Sequence, residues 1–146
     1  SYYDLVKDAI RANDGGFWCG TIGDGFLFKF YPSTSTVINK GKSFQYWNLR
    51  SMAYGGDGKL YMLGGRDYDN AWLLRYDTTT GSMDCLGWPT HTTQMGTVCA
   101  DKTGRILMAE NLRSSYIWVY GDSGRMPVID PARNETPGAG GEVRQP

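Results

Sequence analysis

The stretch from Arg50 to Gly87, RSMAYGGDGKLYMLGGRDYDNAWLLRYDTTTGSMDCLG, decides the fold class. It reads as four short β-strands, Ser51–Tyr54, Lys59–Leu63, Ala71–Tyr76 and Ser82–Leu86, with turn chemistry between them. Gly55-Gly56-Asp57-Gly58 can take the positive φ values of a tight hairpin, and Asp77-Thr78-Thr79-Thr80-Gly81 closes the next hairpin in the same way. Four antiparallel strands in about 40 residues make one meander, a natural repeating unit.

The unit recurs on both sides. Upstream, Ala9 to Gly20 aligns with Met52 to Leu63 at a constant offset of 43, which superposes Asp14-Gly15 on Asp57-Gly58. Downstream, Thr97 to Met108 repeats the strand, turn, strand pattern with one extra turn residue expected. Each copy reaches a third strand that ends on an aromatic: Phe26–Tyr31, Ala71–Tyr76 and Tyr116–Tyr120. Tandem meanders with length changes confined to loops predict an all-β chain, about three consecutive four-stranded antiparallel blades of a β-propeller. The expected blades span residues 8–43, 44–87 and 88–130, followed by a flexible tail over 131–146 that is rich in Pro, Gly and polar residues.

Composition narrows the function classes. The chain has 146 residues with 15 Lys plus Arg against 15 Asp plus Glu, so no net field draws it toward nucleic acid or an anionic membrane. It has no apolar run near the ~18 to 20 residues that span a bilayer, and no charged leader before a long apolar core opens it. The three cysteines, Cys19, Cys85 and Cys99, lack CxxC spacing and a surrounding His cluster, and two are expected to be buried as small apolar residues.

A closed propeller has about 4 to 8 blades, more than this chain supplies. The chain is therefore expected to be the end of a longer propeller, one part of a split one, or a subunit whose ring is closed by another propeller chain or by further copies of itself, a piece of a longer propeller being favoured over self-assembly. In such a ring each blade runs outward from the channel to the rim. Connectors from one blade to the next, and the loops between second and third strands, then share one face at the channel mouth.

That topology gathers residues far apart in sequence. Tyr46, Trp47, Asn48 and Arg50 join His91, Thr92 and Gln94, with Arg66, Asp67, Asp69 and Asn70 and with Glu110, Asn111 and Arg113. Trp47 offers a flat apolar face with a polar edge, suited to stacking on a sugar or wedging between blades, whereas Trp88-Pro89 reads as a corner between rim and channel. His91 is the single histidine, so a multi-histidine zinc site has no basis here, although one imidazole can act as acid or base. Asp67, Asp69 and Asn70 bring three oxygen ligands together for a hard cation such as calcium or magnesium, or form a hydrated loop. Glu110 follows an apolar strand as a metal ligand or base, or pairs with Arg113.

The segments Asp14 to Cys19, Asp57 to Met62 and Gly104 to Asn111, each followed by a strand like Leu73 to Asp77, resemble blades of the broad NHL-like propeller group. That group includes virginiamycin B (streptogramin) lyases and gluconolactonase-like propellers. The Gly64-Gly65 pair is similar to kelch, and the Gly-His and Trp-Asp marks of WD repeats are missing. The resemblance implies divalent-metal lyase or lactonase chemistry at the mouth, to which Glu110, Asn111 and His91 would correspond. Three readings follow: a module binding a carbohydrate, peptide or protein, a metal-dependent enzyme, or a structural part completing a larger ring.

Overall fold

The computed structural model describes residues 5–43, 48–66, 69–89, 95–110, 117–120, 128–129 and 143–144, and these form three antiparallel sheets in succession. The first pairs β1 (Leu5–Arg11), β2 (Phe17–Ile22), β3 (Phe26–Tyr31) and β4 (Thr36–Lys42) in that order. The second pairs β5 (Asn48–Tyr54), β6 (Leu60–Arg66), β7 (Asp69–Tyr76) and β8 (Met83–Pro89). The third pairs β9 (Met95–Ala100), β10 (Ile106–Glu110), β11 (Ile117–Tyr120) and β12 (Val128–Ile129). Within the stretch expected to be a tail, β13 (Val143–Arg144) adds to the outer edge of the second sheet, opposite Pro89 and Trp88.

The ladders show a stricter repeat than the sequence suggests. Ala9 pairs with Cys19, Met52 with Met62 and Val98 with Met108, so these pairs are equivalent. The third blade thus follows the second at a constant shift of 46, and the extra turn residue expected there does not exist. Gly15, Gly58 and Gly104 hold the same left-handed corner of each first turn, at φ of 84°, 73° and 85°.

Side chains alternate across each strand, so every blade offers one face to its predecessor and the other to its successor. Trp18, Leu27 and the partly buried Ile10 of the first blade pack on Met52, Met62 and Leu74 of the second. On its other face, Ala53, Tyr61 and Leu73 pack on Val98, Met108 and Trp118 of the third. Fully burying one such large apolar side chain contributes about 1.5–3 kcal/mol, so these two seams are the core.

Polar contacts fix each seam in register. Asp8 Oδ2 accepts the Met52 N–H at 2.7 Å, and its equivalent one blade on, Ser51 Oγ, accepts the Val98 N–H at 3.0 Å. The Gly56 N–H donates to the Gly104 carbonyl at 3.2 Å, where the first turns of blades two and three meet backbone to backbone.

Several strands run further than the sequence indicates. Asn48 to Arg50, expected in a connector, open β5, and Arg66, Asp69 and Asn70, expected in a loop, lie in β6 and β7. Register shifts between Leu49 and Ser51 and between Gly64 and Arg66 let the ladders continue past the irregularity. Trp88 and Pro89, read as a corner, end β8 instead, where proline's missing donor is tolerated at a strand end. All three cysteines are free and in strands: Cys19 is buried, Cys85 half-buried and Cys99 exposed.

Candidate functional site

The two ends of the sheets differ in chemistry. At one end lie the first turn of each blade and the third turns of blades one and two, and among these described turns the carboxylates of Asp14, Asp57, Asp77 and Asp101 are bonded locally. Asp14 accepts from the Gly16 N–H at 3.1 Å, from the Tyr31 hydroxyl at 3.0 Å and from Lys29 Nζ. The Lys29 hydrogen bond, then that of Gly16, lower its carboxyl from 3.8 to about 2. Asp57 accepts from the Lys59 N–H at 3.0 Å and the Tyr61 hydroxyl at 2.9 Å. Burial, then this acceptor, push the Tyr61 phenol up to about 12.

In the third blade the carboxylate sits two positions earlier. Asp101 takes the Thr103 hydroxyl at 2.6 Å and Arg105 Nε at 2.7 Å, and these bonds hold it well below the ordinary carboxylate range. The same turn role is filled from a different position.

This end also carries clefts between blades that sequence reasoning missed. One, of about 630 Å³, is lined by Asp14, Trp18, Lys29, Tyr31 and Tyr54 among others. Another, of about 430 Å³, is lined by Asp57, Tyr61, Arg75, Thr103, Arg105 and Tyr120 among others. Lys29 lies opposite Trp18 in the ladder, and Arg75 occupies the same place opposite Tyr61. The Lys29 ammonium stands 4.8 Å from the Trp18 ring centroid, while Arg75 bonds Asp84 at 2.8 Å. A cation opposite an aromatic in two successive repeats is a signal the sequence does carry.

At the opposite end lie those residues of the expected mouth face that fall among the described strands. The starts of β5 and β7 and the ends of β6 and β10 bring Asn48, Arg50, Arg66, Asp69, Asn70 and Glu110 to it. Arg66 lies opposite Asp69, and Glu110 opposite Met95. Asn48 is already engaged, since its Oδ1 accepts the Gly23 N–H at 2.6 Å and ties blade two to the second turn of blade one. Arg50 is half-buried within β5. Tyr46, Trp47, Asp67, His91, Thr92, Gln94, Asn111 and Arg113 lie outside the described residues. Among the described residues, no three His, Cys, Asp or Glu side chains gather around a point that a metal ion could occupy.

No family model matches the chain, and no curated protein matches it. Solved structures do. A structure of YCF48 bound to D1 peptide superposes with a TM-score of 0.67 at 14% identity, over 86% of this chain and 39% of that one. The extracellular domain of the putative one component system BT4673 from B. thetaiotaomicron gives 0.60 at 17% identity, over 92% and 23%. The tricorn protease gives 0.61 at 12% identity, over 85% and 13%. The chain therefore spans well under half the length of each of these structures. Their shared architecture is the β-propeller, and this chain folds as three consecutive blades of one.

Proposed function

We propose that the chain is part of a completed propeller ring whose mouth face binds an extended segment of another polypeptide. The observation that carries this reading is the contrast between the two ends of the sheets. Acidic groups of the turn end, Asp14, Asp57 and Asp101, are spent on their own turns. At the mouth end, strand ends from two adjacent blades converge and bring Asn48, Arg50, Arg66, Asp69, Asn70 and Glu110, of both charges, onto one rim. Backbone amides and carbonyls of a bound peptide are suited to such a rim, with Arg50, Arg66 and Arg113 reaching carbonyls or acidic side chains. Tyr46 and Trp47 supply the aromatic anchors that dominate such interfaces, flanked by Asn48, His91, Gln94 and Asn111. The likeness to a propeller solved with a bound peptide supports a peptide over a sugar.

Selection from a randomised phage-displayed peptide library, followed by affinity measurement on variants, tests this. Enriched peptides should lose at least about tenfold in affinity, about 1.4 kcal/mol, with Trp47→Ala or Arg50→Ala and be unaffected by Lys29→Ala in the turn-end cleft. Peptides sensitive only to Lys29→Ala would place binding at the other end and overturn the reading, as would enrichment on a glycan array with no peptide enriched.

A further inference from the structure

The two internal seams are copies of one joint, and each end of the three-blade array exposes one half of it. Toward its predecessor, blade two presents Met52, Leu60, Met62, Leu74 and Tyr76, all buried in the seam with blade one. The ladder equivalents in blade one are Ala9, Phe17, Cys19, Phe28 and Phe30. Ala9 is exposed, the three phenylalanines are half-buried and Cys19 is buried, with no described strand laid over them. Toward its successor, blade two buries Ala53, Tyr61 and Leu73, whose equivalents in blade three are Cys99, Leu107 and Ile117. Cys99 is exposed and the other two are half-buried.

The polar register device has no further blade to act on at either end: the Thr97 hydroxyl lies 3.3 Å from Ser51 Oγ and, donating to it, still has a lone pair with which to accept. Asp8 and Ser51 each accept the N–H of the next blade's inner strand, and Thr97 is the third member of that series. In blade one, the corresponding N–H of Ala9 folds back onto Asp8 Oδ1 at 2.9 Å.

We propose that a second copy of this chain docks head to tail, blade three of one copy on blade one of the other. Thr97 of the first copy then accepts the Ala9 N–H of the second, and Cys99 sits against Ala9 as Ala53 sits against Val98 within the chain. Two such joints close three blades plus three into a ring within the range of about 4 to 8 known for propellers. The proposal rests on the reading above that the module belongs to a completed ring, and it names what completes it.

An Ala9→Cys variant treated with a short bis-maleimide tests the joint. The expected result is a covalent dimer that is absent in wild type and lost in Ala9→Cys/Cys99→Ser. Phe28→Lys, placed on the open face and outside both core clusters, should abolish the cross-link while leaving the far-ultraviolet circular dichroism and the melting profile of a folded chain. Absence of the cross-link in a chain that is folded by the same criteria would overturn the head-to-tail copy, and so would a cross-link that survives Phe28→Lys. If the joint fails while library-selected peptides still bind with Trp47 dependence, the missing blades come from other polypeptide sequence and the binding reading stands. A cross-linked dimer that enriches no peptide would leave the joint standing and sink the binding reading.

Discussion

Asp14 shows how one carboxylate serves a turn and stays out of the binding chemistry. Its pKa falls to about 2 because the ionised form is bonded by Lys29, Gly16 and Tyr31. A depressed folded pKa contributes stability that is present above the ordinary value of 3.8 and is lost as pH falls through about 2. Asp14→Asn should therefore lower Tm at neutral pH, and its difference from wild type should shrink between about pH 4 and about pH 2. A pH series of thermal melts checks this, and a difference independent of pH would contradict the assignment. The glycine corners give a second expectation. Gly15→Ala meets open space and pays only left-handed strain, about 1–2 kcal/mol. A Cβ on Gly104 would also collide with the Gly56 backbone, so Gly104→Ala should lose more in urea denaturation. The Asp-Gly turns were legible from sequence because φ above zero leaves few residue choices. The role of Asp101 was not, because a turn can recruit its carboxylate from either of two positions.

At the scale of the strand and blade, the repeat was visible wherever two turns framed alternating apolar residues. It blurred where bulges carried polar residues into the ladder, as at Asn48 to Arg50 and at Arg66 and Asp69. Alternation is lost at a bulge, so polar strand ends read as loop. The two-residue strand Val143–Arg144 is too short to leave any periodic signal. The placement of strand ends at one end of the sheets followed from topology alone, whereas the clefts lined by Lys29 and Arg75 depend on how neighbouring blades pack. Equivalent positions in successive blades also make a paired expectation. Leu74→Ala, inside a seam, should cost about 2–5 kcal/mol in chemical denaturation. Phe28→Ala, at the same ladder position on the open face, should cost markedly less at concentrations where the chain is dilute. Equal losses would mean that the first blade's outer face is already covered.

For the whole molecule, the described blades make two complete seams and leave a half-seam at each end of the array, which a second copy closes under the proposal above. The solution mass by light scattering over a wide concentration range tests this most directly. The chain is 16.3 kDa, and the expected result is a closed species of twice that mass that dissociates on dilution and grows no further as concentration rises. A mass of 16.3 kDa at every concentration, with the fold intact, would contradict closure by a second copy. Growth without limit would contradict a joint whose geometry returns on itself.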